Sequence, residues 1–226
     1  MQKDIHLPFT RLRIGRFLFL LISITLMFTL RPFLEGFIGI GILVDIFATL
    51  ILLSGVYAAS SNKHVFRIAL LIAFPALIAH WSNYFVKISS LFLASKIFGG
   101  FFYAFLVVVI LNYLFKEKQI TTDVIAGAIC AYFLIGLMWS SIFAILEFAQ
   151  PGSFDIPQSL RAESSSFAYY SYVTLTTLGY GDITPITTQA ASFSLLEAMT
   201  GQIYLATLVA RLVSINILQS MEKESP

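Results

Sequence analysis

Residues 177–182 read Thr-Leu-Gly-Tyr-Gly-Asp and lie between two long apolar segments of the chain. Gly179 and Gly181 stand at alternate positions, which suits a backbone that needs a positive φ angle at every second residue. A simple Gly-Tyr-Gly turn between two helices would explain the glycines, but neither the threonines directly before them nor Asp182 directly after. The hexapeptide therefore predicts a loop with a specialised backbone, held between two membrane helices.

The composition of the chain is that of an integral membrane protein. Of its 226 residues, 58% are hydrophobic and 12% are charged, and the mean hydropathy is +0.86, whereas soluble domains carry about 25% charged residues. The sparse Asp, Glu and His residues show neither a catalytic constellation nor metal-ligand spacing, and no phosphate-binding loop is present. We therefore expect no enzyme, no cofactor and no nucleic-acid partner.

Six apolar segments can be drawn as transmembrane helices. They cover roughly residues 14–33, 37–58, 65–84, 95–115, 123–147 and 187–213. With the N-terminus inside, ten of the fourteen Lys and Arg residues fall on the cytoplasmic side, as the positive-inside rule requires. Both termini are then cytoplasmic, and the hexapeptide faces outside. The first span also has the basic start and apolar run of a secretory signal, but it lacks a small-residue cleavage site.

A longer motif surrounds the hexapeptide. Residues 174–182 read Thr-Leu-Thr-Thr-Leu-Gly-Tyr-Gly-Asp, and Pro185 follows. This motif resembles the selectivity-filter signature T-x-G-Y-G-D of potassium channels, and residues 120–218 resemble the two-helix pore module of that superfamily. The resemblance implies an outer helix in span five, a re-entrant pore helix over residues 164–176, and an inner helix in span six that lines the cavity.

The resemblance also implies how ions would be held. A pore that removes water from K⁺ must replace the water with other oxygens, and backbone carbonyls supply them. The K⁺-binding carbonyls would be those of Thr177, Leu178, Gly179 and Tyr180, with the Thr177 hydroxyl at the inner end and Gly181 completing the filter. One chain supplies one filter loop, so four identical chains would form the pore.

Several residues are expected to support the filter from either side. They are Thr174, Thr176, Asp182, Tyr169, Tyr170 and Glu147. By resemblance, Tyr170 would brace the filter tyrosine, Tyr180, and Glu147 would bond the loop after the filter. Some relatives carry a glutamate behind the filter where this chain has Val173, so Asp182 must find another partner or face solvent. Alternatively, the two tyrosines before the filter are ordinary interfacial aromatics.

Span six carries an acidic residue and a mid-helix glycine. Glu197 lies well inside the span, where a carboxylate is a functional candidate by default. It is either a proton-sensitive latch or filter brace, or a structural carboxyl satisfied by hydroxyls of the pore helix or fifth span. Gly201 either acts as a gating hinge, as the resemblance implies, or permits close helix packing. Gln202, Leu205 and Val209 follow at helical spacing and are our candidates for the cavity wall.

Residues 1–119 form a four-helix membrane domain in this scheme, and residues 120–226 form the pore module. A six-span layout with the pore last resembles voltage-gated channels, whose sensor needs several arginines on the fourth span. Here that span offers only Lys96, near its outer end. The first domain therefore resembles a degenerate sensor, and strong voltage gating is not expected.

These features together predict a potassium-selective channel, in which K⁺ flows passively through a homotetramer embedded in a lipid bilayer. Two alternatives remain open. One is a non-selective cation channel, although relatives of that type often alter the tyrosine or the aspartate that this filter keeps. The other is a transporter or a non-conducting regulatory subunit with a pore-like loop. The short chain without eukaryotic sorting signals suggests the plasma membrane of a prokaryote.

Overall fold

The computed structural model describes residues 15–34, 40–86, 88–161 and 166–224, and these residues are almost entirely α-helical. In chain order the helices are α1 (Arg16–Leu34), α2 (Ile40–Ala58), α3 (Lys63–Phe85), α4 (Ser89–Lys116), α5 (Thr122–Ala149), α6 (Gln158–Arg161), α7 (Ser166–Leu175) and α8 (Thr188–Glu224). A short 3₁₀ helix, Ala59–Ser61, and two strands, β1 (Phe154–Asp155) and β2 (Thr184–Pro185), complete the described elements. The predicted all-α class is confirmed.

Four of the described helices are long and apolar enough to cross a membrane. The qualifying segments are Lys63–Ser82, Ser89–Lys116, Thr122–Ala149 and Thr188–Ile217. The first two predicted spans correspond to shorter apolar helices, Arg16–Leu30 and Ile46–Ala58. Residues 14 and 37–39 of those spans lie outside the described residues. The chain is therefore a multi-pass membrane protein.

Two helices extend beyond the spans that hydrophobicity predicted. α4 begins at Ser89, before the predicted start of the fourth span. Lys96 does not interrupt it, because the Lys96 ammonium lies 5.4 Å from the ring centroid of Phe92, one turn earlier, while the aliphatic stem can remain in apolar surroundings. α8 continues to Glu224, since the residues beyond its apolar part are good helix formers.

α5 is the centre of the fold. It contacts α1, α4, α7 and α8, and 61% of its most apolar segment is buried, compared with 17% for α8. The core around it includes Phe17, Leu20 and Ile24 of α1, Phe102, Leu106 and Ile110 of α4, and Leu134 and Phe143 of α5 itself. α5 thus supports α7 from behind, while most of α8 is left uncovered by its own chain.

α8 is bonded to the connection between α4 and α5. Nη2 of Arg211 donates to the carbonyl oxygens of Phe115 and Glu117, at 2.9 and 3.0 Å. These carbonyls lie at the C-terminal end of α4, where a cation also meets the negative end of the helix dipole. The predicted division between residues 1–119 and 120–226 falls in this connection. Both sides of it nevertheless contribute to one core, because α1 and α4 pack directly on α5.

Candidate functional site

The hexapeptide loop has an alternating backbone. Among the described residues, positive φ occurs at Gly152 in a surface turn and at three alternate loop residues, Thr177 (59°), Gly179 (61°) and Gly181 (77°). Alternation of left-handed and right-handed residues turns successive carbonyls toward the same side of the chain. The two glycines signalled this geometry. The left-handed Thr177 could not have been found from its type, because β-branched residues rarely adopt positive φ.

Much of the loop is uncovered within the chain. The side chains of Leu178 and Tyr180 are 56% and 67% exposed. A Cβ atom added to Gly179 or Gly181 would meet no other atom within 4 Å. Exposed apolar and aromatic side chains that stand together mark an interaction surface. The loop therefore leaves space for ligands along its row of carbonyls and for further chains against its side chains.

The short helix α7 carries the start of the loop. α7 lies within the predicted pore helix, and residues 164–165 of that prediction fall outside the described residues. The carbonyl oxygen of Val173 accepts hydrogen bonds from the N–H groups of Leu178 (2.9 Å) and Gly179 (3.2 Å). Val173 thus supports the loop through its backbone carbonyl.

Thr174 and Thr176 lie at the junction of α7 and the loop. The carbonyl oxygen of Thr174 accepts from the N–H of Thr177 at 2.9 Å. The hydroxyl of Thr176 donates to the carbonyl oxygen of Tyr172 at 2.6 Å. Such bonds satisfy carbonyls that the end of a helix would otherwise leave free, so the threonines fix where the helix ends and the loop begins.

Asp182 finds its partner in Tyr169. The Tyr169 hydroxyl donates to Oδ2 of Asp182 at 2.5 Å, and the N–H of Ile183 donates to Oδ1 at 3.0 Å. The hydrogen bond to Asp182 is the main reason that the pKa of Tyr169 is raised to about 12. Tyr169 therefore remains a protonated donor across the physiological pH range.

Tyr170 takes a different partner from the one expected. Its hydroxyl pairs with Oγ of Ser194 on α8 at 2.6 Å, so within the described chain it does not brace Tyr180. Its ring packs edge-on against Phe143 and Phe154, with centroids 5.1 and 5.2 Å away. The bulk of the ring thus belongs to the core behind the filter, and its hydroxyl joins α7 to α8.

Glu147 also differs from its expected role. Its carboxylate accepts from the N–H groups of Gly152 (2.9 Å) and Phe154 (3.2 Å). These groups belong to the turn after α5 and to the start of β1, and not to the loop after the hexapeptide. Glu147 lies in the last turn of α5. Its carboxylate is therefore closer to the amides that directly follow this helix than to the residues after Asp182. Glu147 therefore shapes the turn from which β1 starts.

A two-stranded antiparallel sheet connects that turn to the chain after the filter. β1 pairs with β2, and the N–H of Ile186 donates to the carbonyl oxygen of Ser153 at 2.8 Å. Sequence reasoning missed this sheet, because two-residue strands have no periodicity to detect. Through it, Glu147 supports the far end of the filter loop indirectly.

One face of α8 packs against the helices behind the filter. It is formed by Ser194, Glu197, Gly201 and Tyr204, which follow one another at helical spacing. Glu197 is 0% exposed and bonds Ser171 of α7. Ser171 supplies a hydroxyl from the predicted pore helix. Such a hydroxyl is the partner expected if Glu197 is a structural carboxyl.

Gly201 lies where α8 meets the C-terminal end of α7. An added Cβ atom would stand 2.2 Å from the carbonyl oxygen of Leu175 and 3.0 Å from its Cδ1 atom. The same carbonyl accepts a hydrogen bond from the hydroxyl of Tyr132, at 3.3 Å. Of the two roles considered for Gly201, close packing is the one that has direct geometric support.

Gln202, Leu205 and Val209 are exposed and lie away from this packed face. Nε2 of Gln202 stands 3.5 Å from Oγ1 of Thr177, at the limit of a hydrogen bond. Gln202 is therefore next to the inner end of the filter loop. Leu205 and Val209 continue along the helix below it, and their assignment to a cavity wall stays a prediction.

Part of this chain is similar to a known protein family. Residues 132–217 match the sequence model of a family described as ion channel. The matched segment runs from α5 through α7 and the hexapeptide loop to α8. Curated proteins were also compared, and none of them matches the chain.

Proposed function

We propose that this chain, whose residues 132–217 match an ion channel family, conducts K⁺ selectively as a homotetramer. The observation that carries the proposal is the alternation of positive φ at Thr177, Gly179 and Gly181. It turns the carbonyls of neighbouring residues toward one side, and rings of such carbonyls can replace the water around K⁺. The chain acts as a channel and not as an enzyme.

The ion-binding oxygens in this proposal are the carbonyls of Thr177, Leu178, Gly179 and Tyr180, together with the Thr177 hydroxyl. K⁺ is the transported ion, and it moves in single file down its electrochemical gradient. Conduction needs sites that bind K⁺ well enough to admit it but weakly enough to release it, which several adjacent sites achieve by mutual repulsion of the ions.

The homotetramer is supported by what a single chain leaves uncovered. One chain contributes one filter loop, and a row of carbonyls from one side cannot surround an ion. Tyr180 and Leu178 are exposed although they are large and apolar, and α8 is mostly uncovered. Neighbouring copies of the same chain would cover these surfaces and close the ring of oxygens.

The remaining features of the proposal concern topology. Six spans, with the hexapeptide loop re-entering from outside and both termini cytoplasmic, agree best with the distribution of Lys and Arg. A prokaryotic plasma membrane remains our proposed location. Within α4 only Lys96 and Lys116 are charged, so this helix would move little charge through the membrane field, and strong voltage gating is not part of the proposal.

The proposal is tested by reconstituting the purified protein in planar bilayers with K⁺ on one side and Na⁺ on the other. We expect single-channel steps that barium blocks, with a reversal potential far from zero and toward the K⁺ equilibrium value. A reversal potential near zero would instead establish a non-selective cation channel. Absence of channel steps from a preparation that is verified as tetrameric would favour a transporter or regulatory subunit.

The bond between Tyr169 and Asp182 gives a further expectation. Tyr169→Phe removes only the donor hydroxyl, so the outer end of the filter should bind K⁺ more weakly. Since K⁺ binding stabilises the folded tetramer by mass action, the K⁺ concentration that half-protects it against heat should rise at least about fivefold, the change expected from about 1 kcal/mol if only one of the four solvent-accessible hydrogen bonds counted. Tyr57→Phe on α2 is the matched control and should leave this concentration unchanged.

A double variant decides whether the effect depends on the named bond. If Tyr169 acts through Asp182, adding Tyr169→Phe to Asp182→Ala should change the half-protecting K⁺ concentration no further. Additive effects of the two substitutions would show that Tyr169 acts by another route.

A further inference from the structure

Glu197 lies at a junction of three helices behind the filter. Its side chain on α8 is 0% exposed. Ser171 of α7 brings the three helices together, because its Oγ atom is 2.5 Å from Oε1 of Glu197 and 2.7 Å from the carbonyl oxygen of Gly136 on α5. The proposed conduction path does not use this junction, since none of these atoms belongs to the filter.

The two contacts of Ser171 require two protons. A serine hydroxyl has one proton to donate, and it can accept through its lone pairs. The carbonyl oxygen of Gly136 can only accept, so the Ser171 proton must be directed to it if both contacts are to be hydrogen bonds. The second contact is then a hydrogen bond only if Glu197 supplies a proton of its own and donates it to Oγ of Ser171.

The surroundings of Glu197 also favour its protonated, neutral state. Among the described residues no Lys, Arg or His pairs with it, and the titratable side chains that interact with it electrostatically are Tyr132 of α5 and Tyr170 and Tyr172 of α7. Its second oxygen, Oε2, is buried and has no partner in the described part of the chain. An unpaired buried carboxylate is strongly disfavoured, whereas a neutral carboxyl is tolerated.

We propose that Glu197 holds a proton and, as a neutral carboxyl, is the positioning residue that fastens the inner helix to the pore helix. Gly201 follows one turn later on the same face of α8 and touches the carbonyl of Leu175, so the fastening lies directly behind the start of the filter. Loss of the proton would leave Ser171 with two acceptors and one proton, and one of the two helix contacts would break. This proposal depends on the proposed channel function only where K⁺ flux is the quantity measured.

The protonation state can be read without any channel activity. Infrared difference spectra between the wild type and Glu197→Gln, both as purified tetramers at neutral pH, should contain the carbonyl band of a protonated carboxylic acid. Glu147→Gln is the matched control, because the Glu147 side chain only accepts hydrogen bonds, from two backbone N–H groups. This substitution should remove no band of a protonated carboxylic acid. If Glu197→Gln removes only carboxylate bands, the proposal is overturned.

The positioning role is read from the dependence of K⁺ flux on pH. In the wild type, flux and the heat stability of the tetramer should both fall as the pH rises from neutral to moderately alkaline, in a range that stays below the pKa of about 12 of Tyr169. In Glu197→Gln, whose amide can still donate to Ser171, both should stay near the neutral wild-type values throughout. Tyr169→Phe should keep the wild-type dependence on pH. An equal alkaline loss in Glu197→Gln would overturn the role.

Substitution of Ser171, whose Oγ atom accepts the proton of Glu197 in this proposal, tests the contact independently. Ser171→Ala should lower K⁺ flux about tenfold at neutral pH, a coupling of the size that contacting residues show. It should also abolish the alkaline loss that depends on Glu197. If Ser171→Ala retains the wild-type dependence on pH, the contact between the two residues does not position the filter. A wild type that conducts no K⁺ would contradict the channel function, while the infrared band and the heat stability would still test the protonated carboxyl.

Discussion

The substitution Gly179→Ala is expected to reduce K⁺ flux to the level of protein-free vesicles while the tetramer stays assembled. Gly179 has a φ of 61°, and an alanine Cβ would meet no neighbouring atom within 4 Å, so the penalty comes from the backbone and not from a clash. A left-handed conformation costs an ordinary residue about 1–2 kcal/mol. In a homotetramer, four such penalties fall on one filter, about 4–8 kcal/mol in all.

Gly152 provides a matched control for this substitution. Its φ is 85°, and an added Cβ would also have free space around it, but it lies in the turn after α5. Gly152→Ala should therefore carry the same local penalty, lower the heat stability slightly, and leave K⁺ flux intact. Flux through liposomes containing each variant, at equal amounts of assembled tetramer, makes the comparison. Equal flux in the two variants would mean that the loop backbone does not form the filter.

The substitution Gly201→Ala is expected to destabilise the tetramer and to reduce K⁺ flux together. The new Cβ atom would lie 2.2 Å from the carbonyl oxygen of Leu175, and a backbone atom cannot rotate away as a flexible side chain can. α8 or α7 must therefore shift, and overpacking of this kind costs about 1–3 kcal/mol per site. Because Leu175 is the last residue of α7, the shift passes directly into the filter loop.

Gly99 on α4 is the control, because its added Cβ would stand 3.9 Å from the ring of Tyr103, an ordinary contact. Gly99→Ala should leave flux unchanged and make the helix more stable, by up to about 1 kcal/mol. The comparison also separates the two roles of Gly201. A glycine needed only as a hinge would give Gly201→Ala an unchanged or higher melting temperature with altered gating, which would contradict the packing role.

The conformation of the hexapeptide loop at its glycines could be predicted from the sequence, because it depends on local chemistry. Only glycine adopts positive φ without penalty, so the positions of Gly179 and Gly181 indicated the alternating backbone directly. The membrane class and most helices followed from the runs of apolar residues, which lipid requires over a fixed length. Thr177 was the exception, because its unusual φ is imposed by the loop around it and not by its own type.

The partners of the supporting side chains were not predictable in the same way. From the sequence, Asp182 could face solvent or bond any nearby donor. Only the position of α7 beside the loop brings the Tyr169 hydroxyl to it. Tyr170 was expected to contact Tyr180. Its ring is instead buried in the core, and its hydroxyl bonds Ser194. In both cases the side-chain type predicts a hydrogen bond, while the packing of helices selects its partner.

The sequence by itself thus determined the similarity to ion channels, the membrane class and the backbone at Gly179 and Gly181, since these depend on residue type and near neighbours. The tertiary structure alone decided what stands behind the filter: Gly201 against Leu175, and Glu197 with Ser171 and Gly136. Those contacts join residues that are far apart in the chain. Their identity depends on how α5, α7 and α8 cross, and no local pattern of residues encodes a crossing.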